Sequence, residues 1–574
     1  MTECNEQGLL FQDLDGRKVV VDFNGGYLSS DGGGLILREL ERHSGLLKDF
    51  ASCFIDYRDQ RYIEHSVVEL VTQRIHGLVL GYEDLNDHDH LRRDPLQALI
   101  CGKSDPLGGD RLLERDKGKA LAAHSTLNRL ELSAQAIDQR YHKIQAQPDK
   151  IEELLIKRGV KAIARKSGEI VLDFDATDDP LHGKQEGAYF HGFYRAYCYL
   201  PLYCFCGNIP LFAKLRDCKR DASQGTVEAL QKIVPAIRQR FGRKVRIIVR
   251  GDSGFAREAI MAWCEEHQVF YCFGLARNDR LAEQLGSSFE RLRTQIKEGK
   301  VQSPCRSFTE FEYSTLNSWT KARRVIGKAE ILAQGDNPRF IVTNLPKEGW
   351  SDAVQATRFE PAALYEKFYC ARGDMENRIK EQQLDLFADR TSTHWLASNQ
   401  LRLWFSVLAH LIMSTLQAEV LKGTELEGAS VGQIRLRLFK IAARLTVSVR
   451  RIHIELCSAY PLKGLFRLGS PAARRLAHSS LTPRPAGEKA APWTRKIAST
   501  AKGFVPEEEK LSLWPSLARK LVSKHAKFCH PSPQKNFLEV QRFNRWLGMR
   551  ICEQCGLGTF RANRSASCDF RSCR

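Results

Sequence analysis

The segment EIVLDFDATDDP, residues 169–180, carries Asp173, Asp175, Asp178 and Asp179 at the end of an apolar run. Carboxylates this dense repel one another unless water solvates them or a cation offsets their charge. A second candidate, Asp252 in RIIVRGDSGF, stands just past another apolar strand, at the turn into a helix. Functional residues of α/β sheets gather at such carboxyl ends of strands. The plainer reading of Asp252 is a turn residue. A third group lies in YEKFYCARGDMENRIKEQQLDL, where Tyr369, Arg372, Glu376 and Lys380 follow one another at spacings of three, four and four. On a helix these share one face, presenting a phenol, a guanidinium, a carboxylate and an ammonium together. Taken alone, that face is equally a solvated helix with ion pairs between turns.

The combination says more than its parts. Two strand-end aspartates, a β-rich interruption and then a helix-borne glutamate form the order expected of an RNase H-like nucleotidyl transferase. Such chemistry uses two Mg²⁺ ions ~4 Å apart, held by oxygen ligands. One activates the attacking water or 3′-hydroxyl and the other stabilises the leaving oxygen. A bound cation would also relieve the repulsion within residues 169–180. On a strand of period two, Asp173 and Asp175 point the same way, so alternation does not choose between them. Asp175 is nearer the strand's end, which leaves Asp173 as the reserve candidate. Asp178 and Asp179, ahead of Pro180, read as turn residues.

The elements that must position these side chains follow from patterning. Residues 1–165 read as a mainly helical region after a short extended start, with a helix entered from about Leu35. HSVVELVTQRIHGLVLGYEDL is amphipathic, with Val67, Leu70, Val71, Ile75 and Leu78 at helical spacing. Ser125 is a plausible cap for a further helix. Short helices in a basic chain suit DNA binding, although no clear helix-turn-helix is visible. Residues 166–281 alternate strands and helices, the first part of a mixed-sheet core. Residues 282–350 read as a small antiparallel insertion. Residues 351–420 return to helix and carry Glu376, and residues 421–470 form a basic end to that region. The fold class expected is therefore α/β: an RNase H-like catalytic core with a mixed sheet, a helical N-terminal region, a β-rich insertion before the glutamate and a basic C-terminal tail.

Bulk properties agree. The 574 residues allow two to four domains, and a net charge of +19 favours a polyanionic partner, most often nucleic acid. The tail, 471–574, holds 20 Lys/Arg against 7 Asp/Glu, and so carries most of that excess. It reads as a linker or partly disordered appendage. No basic-then-apolar leader is visible at the N-terminus. The most apolar window, 401–417, contains Arg402 and His410, is shorter than a bilayer span and reads as a buried core helix, so no membrane partner is expected. Seventeen scattered cysteines read as reduced thiols in a cytosol.

Several stretches, in order, resemble bacterial insertion-sequence transposases of the IS-thirteen-eighty family, within the wider Asp-Asp-Glu group that includes the IS-four transposases. They are LSSDGGGLIL, QRIHGLVLGYEDLNDHDHLRRDP, STLNRLE, VLDFDATDDPLHGKQEGAYFHGFYRAYCYLPL, VRGDSGF, YCARGDMENRIKEQQLDLFADR and ASNQLRL, spanning about residues 28–404. The resemblance implies an enzyme that binds the terminal inverted repeats of its element. It would cut at the ends and join them to target DNA by cut-and-paste transposition, using Mg²⁺ or Mn²⁺. Its partners would be double-stranded transposon-end and target DNA, engaged by a homodimer in the bacterial cytoplasm at the nucleoid. It assigns Asp175, Asp252 and Glu376 as the metal-binding catalytic triad, Asp175 through its Asp-x-Thr context. Tyr369 and Arg372 match the Tyr-x2-Arg-x3-Glu signature and would contact DNA. The signature's lysine falls at Gln383 here, with Lys380 as the nearest basic replacement for a phosphate contact. A nuclease on the same core and a non-enzymatic DNA-binding protein are the alternatives.

Three other signals carry readings of their own. Trp319 reads as a structural aromatic or as a platform for an unpaired base. YEDLNDHDH reads as a solvated loop with caps rather than a metal site. In the tail, Cys552, Cys555, Cys568 and Cys573 form a candidate structural zinc site, with wider spacing in the second pair.

Overall fold

The computed structural model describes residues 9–134, 143–165, 168–347 and 357–469. The chain divides into two units, Met1–Thr482 and Pro483–Arg574, and the second lies outside the described residues.

The first unit is built on one large mixed sheet. Its strands are β1 (Glu169–Ala176), β2 (Leu202–Cys206), β3 (Ile209–Lys214), β4 (Arg246–Gly251), β5 (Phe270–Leu275), β6 (Cys305–Tyr313), β7 (Arg323–Leu332) and β8 (Arg339–Thr343). They lie in the order β3-β2-β1-β4-β5-β8-β7-β6, with a two-residue ninth strand, Gly335–Asp336, beside β7. The neighbours β1, β4 and β5 run parallel, and every other pair is antiparallel. Strands β6 to β8 are the segments read as a small antiparallel insertion, and they are antiparallel to one another. They extend the main sheet, because β8 pairs with β5 from Cys272↔Thr343 to Leu275↔Phe340. Local patterning reveals a strand but not the edge it will join.

Alternation along the strands sorts the side chains onto two faces. On one face Ile170, Leu172 and Phe174 of β1, Ile247 and Val249 of β4, and Tyr271 and Phe273 of β5 form one core. It is completed by helices α1 (Pro148–Ala162), α2 (Thr226–Phe241) and α3 (Glu258–Glu266). On the other face Ile248, Cys272, Ile326 and Ile341 pack against Leu364, Tyr365 and Phe368 of a long helical run. Each such fully buried aliphatic or aromatic side chain contributes about 1.5–3 kcal/mol. The run extends from Pro361 to Asp385 and changes pitch along the way. Leu364–Tyr369 and Glu381–Asp385 are wide π turns, Cys370–Arg372 is a tight 3₁₀ turn, and α4 (Gly373–Lys380) is regular. Helix α5 (Leu396–Leu416) follows. Leu396–Leu421 is long and apolar enough to cross a membrane, yet most of it is buried within the fold.

Before the sheet, the helix Val67–Leu80 forms as its periodicity requires, with a complete capping box between Ser66 and Glu69. A later helix spans His124–Glu131 and is preceded by Ala123, so Ser125 lies inside it and does not cap it. The two ends of the described fold meet. Tyr27–Ser29 pairs with Ala443–Ser448, which pairs with Arg451–Leu456. Beside this seam the fully buried Asp31 accepts hydrogen bonds from Lys440 Nζ at 2.6 Å, Tyr82 Oη at 2.6 Å and Gln97 Nε2 at 2.9 Å.

Candidate active site

Register places the two strand-end aspartates together. In the parallel pair β1/β4, Arg250 is the partner of Asp173. Asp175 and Asp252 each lie two residues further on, Asp175 still in β1 and Asp252 just past the end of β4, and the two carboxyls are near enough to repel each other. Both point toward the helical run that carries Tyr369, Arg372 and Glu376, because Asp175 shares the face of Asp173 and Val171, opposite the core of Leu172 and Phe174.

Arg372 joins the helix to the sheet. Its Nη1 lies 3.4 Å from Asp175 Oδ2 and its Nη2 lies 3.2 Å from Glu376 Oε1. Burial, opposed by Arg372 and reinforced by Asp252 and Glu376, pushes the Asp175 carboxyl up to about 7. Its Oδ1 also accepts the Ala176 N–H at 2.9 Å. Asp252 both shapes its turn and faces the site: its Oδ1 accepts the Gly254 N–H at 2.8 Å, capping Ser253–Phe255. The turn reading of Asp252 therefore holds, at a position near the Asp175 carboxyl.

Tyr369 reaches the same place through a gap in β5. A Cβ on Gly274 would stand 2.5 Å from Tyr369 Oη and 2.9 Å from Ser253 N, so only glycine admits the phenol beside the Asp252 turn. Burial, countered by Arg372 and aided by Cys272 and Asp252, raises that phenol to about 12. Lys380 is exposed, one turn past Glu376. Gln383 points inward and donates from Nε2 to the Asp178 carbonyl at 3.0 Å, tying the helical run to the chain leaving β1.

The reserve candidate Asp173 has another role. Arg250 Nε and Nη2 donate to its two oxygens at 2.6 and 2.8 Å, and Arg250 Nη1 donates to the Phe368 carbonyl at 2.6 Å. The pair is buried. The carbonyl it draws aside belongs to the π turn immediately before Tyr369 and Arg372, and such local widening is frequent at functional sites. The sequence held one signal for this clasp: an arginine inside the apolar strand RIIVRG requires a buried partner. Asp179 also departs from its expected place in a turn, pairing as a short strand instead. Backbone pairing of Asp179–Pro180 with Cys198–Tyr199 draws it inside, and among the described residues neither of its side-chain oxygens finds a hydrogen-bond partner. Burial raises its carboxyl well above the usual range, with Asp389 and Asp178 adding to the effect.

Among the described residues no three His, Cys, Asp or Glu side chains close into a ready metal cage. Asp175, Asp252 and Glu376 nevertheless supply the hard oxygen donors that a divalent cation needs. Burial is the first cause of the raised Asp175 carboxyl, and the negative charges of Asp252 and Glu376 add to it against Arg372. The donor set fits such a cation on condition that Arg372 shares or yields its two carboxylate contacts.

Trp319 is only 8% exposed, edge-on to Tyr313 and beneath Arg323, which makes it a structural aromatic. In YEDLNDHDH, Glu83 and Asp84 pair with Arg390 at 2.9 and 2.7 Å, and Asp84 caps Asn86. Cys552, Cys555, Cys568 and Cys573 lie outside the described residues.

No curated protein matches the chain. A cryo-EM structure of a piggyBac transposase synaptic complex with hairpin DNA is similar at 9% identity and a TM-score of 0.34, covering 88% of this chain and 91% of that one, a likeness too loose to assign a fold. The family model described as transposase DDE domain group 1 matches residues 11–478, most of the length and all of the site. The chain belongs to the DDE transposase family, domain group 1.

Proposed function

We propose that this DDE transposase binds the terminal inverted repeats of an insertion sequence of the IS-thirteen-eighty type and mobilises it by cut-and-paste, with two copies of the chain engaging the two ends at the bacterial nucleoid. The observation that carries the reading is Arg372 bridging Asp175 and Glu376, with Asp252 near enough to act on the same Asp175 carboxyl. The order β3-β2-β1-β4-β5, with its parallel pairs at β1/β4 and β4/β5, supports an RNase H-like core.

Asp175, Asp252 and Glu376 would hold the divalent cations. When bound, such cations supply activation of the attacking oxygen and stabilisation of the leaving oxygen. The chain's own groups position the phosphate. Arg372 offers a planar fork of donors suited to two phosphate oxygens. Tyr369, kept protonated by burial, donates a single hydrogen bond beside it. Lys380 adds a solvent-side cation for the DNA backbone.

The test is excision of a marked segment bracketed by the inverted repeats that flank the reading frame. Wild type should excise it with Mg²⁺ or Mn²⁺, and D175A, D252A and E376A should each bind the ends without cutting. Cutting without rejoining in wild type would reduce the function to that of a nuclease. Activity surviving loss of all three carboxylates would remove the catalytic assignment and leave a DNA-binding protein.

A further inference from the structure

Between β1 and β2 the chain makes a small hairpin, Tyr189–His191 against Ala196–Tyr199, with six Phe and Tyr residues in positions 189–199. Most of these rings stay in water: Phe193 is 75% exposed, Phe190 58% and Tyr197 57%. Phe190 and Tyr197 are cross-strand partners, with ring centres 5.7 Å apart edge to face. Phe193 sits in the tip, edge-on to Tyr194 at 5.0 Å. Aromatic rings held out of a core in this number mark a surface that meets a partner.

We propose that this hairpin is a stacking platform for unpaired DNA bases beside the carboxylate site, with Phe193 at its tip and Phe190 and Tyr197 on its face. The proposal rests on the transposase reading. It places the occupant by chemistry, since π faces for bases interleaved with cations for phosphates are what single-stranded nucleic acid requires.

Three observations select that occupant. First, the hairpin is hydrogen-bonded to the chain that leaves Asp175: Asp179 pairs with Tyr199, Pro180 with Cys198, and the Leu181 N–H reaches the Tyr197 carbonyl at 2.8 Å. Second, its tip adjoins the carboxylates. Tyr194 packs on the buried Cys198, Leu200 and Cys218 together with Ala176, the residue that follows Asp175. Third, cations accompany the rings. Lys219 Nζ stands 3.7 Å above the Tyr189 ring, and Lys184 and Arg195 are exposed on the neighbouring loop and the tip. A base displaced from a duplex end held at Asp175 and Asp252 would meet this surface. Trp319, the aromatic that the sequence offers for such a role, is buried and does not compete for it.

The test compares binding of a fluorescent duplex with a blunt end and the same duplex with a splayed end, in Ca²⁺. Wild type should prefer the splayed end by about tenfold, a typical gain from stacking one base. F193A and the double variant F190A/Y197A should lose that preference while keeping affinity for the blunt duplex, and F193W should retain it. An unchanged preference in both alanine variants overturns the proposal, as does its equal loss in F193W. Self-association that disappears in F190A/Y197A, with no splayed-end preference in wild type, overturns it in favour of a contact between copies. A chain that favours splayed DNA through Phe193 but excises nothing overturns the transposase reading and leaves the platform standing.

Discussion

Arg250 holds Asp173 by both carboxylate oxygens, at 2.6 and 2.8 Å, while its third nitrogen holds the Phe368 carbonyl. One guanidinium thus fixes the spacing between two core strands and the helix that carries Tyr369, Arg372 and Glu376. Removing one partner of a buried pair leaves an uncompensated charge and costs ~3–5 kcal/mol. D173A should therefore unfold at markedly lower urea. R250K, which cannot fork onto the carboxylate and reach the carbonyl together, should cut DNA about 100-fold more slowly with end binding intact. Single-turnover cleavage and a double-mutant cycle on unfolding check this; additive effects of D173A and R250A would count against the clasp.

The Asp175 carboxyl lies near 7 in the fold against 3.8 as its ordinary value. A raised carboxyl destabilises the folded state once the unfolded chain ionises. The cost accumulates as pH rises through about 4 and is complete above about 7. D175N should therefore stabilise the metal-free protein by on the order of 2 kcal/mol at pH 8, and the advantage should vanish toward pH 4. Thermal melts across that range report it, and an advantage that grows as pH falls would contradict the assignment.

Arg372 pairs with Asp175 and Glu376, the same two carboxylates that would hold a divalent cation in the proposed function. R372A should bind Mn²⁺ several-fold more tightly than wild type and yet cleave more slowly, because a phosphate-orienting fork is gone. Calorimetric titration with Mn²⁺ separates the two effects. Weaker Mn²⁺ binding in R372A would mean that Arg372 organises the carboxylates and does not compete for them.

Gly274 leaves room for the Tyr369 hydroxyl and the Ser253 backbone. G274A should destabilise by ~1–3 kcal/mol through overpacking and should slow cleavage by displacing Tyr369 or the Asp252 turn. Adding Y369F removes the nearer clash, so the double variant should regain stability without full activity. No recovery of stability would point to the Ser253 backbone as the obstacle.

Much of the core was legible in the sequence because its strands are apolar and its turns are marked. RIIVRGDSGF announces a strand ending at Asp252, and the helix from Leu35 begins where periodicity places it. What was not legible depends on register. Position and the Asp-x-Thr context favour Asp175 over Asp173 in the sequence, but only the pairing of Arg250 with Asp173 reveals that Asp173 is held in a buried clasp. Parallel register is set by tertiary packing and leaves no local trace. The same limit hid the destination of β6 to β8, whose strand character was plain but whose sheet was not. The hairpin at 189–199 drew no reading of its own in the sequence, and only the fold leaves its Phe and Tyr rings in solvent.

The seam between Tyr27–Ser29 and Ala443–Ser448 bears on how the protein is made. Its partners stand more than 400 residues apart in the chain, with Asp31 waiting on Lys440. Contacts of such long range close slowly, so the N-terminal segment would gain these partners only after residues beyond 440 have left the ribosome. We expect ribosome-bound chains halted before that point to be clipped by protease near residue 30, and chains released after residue 456 to be protected there. Equal protection in both would show that the N-terminal region closes without the seam.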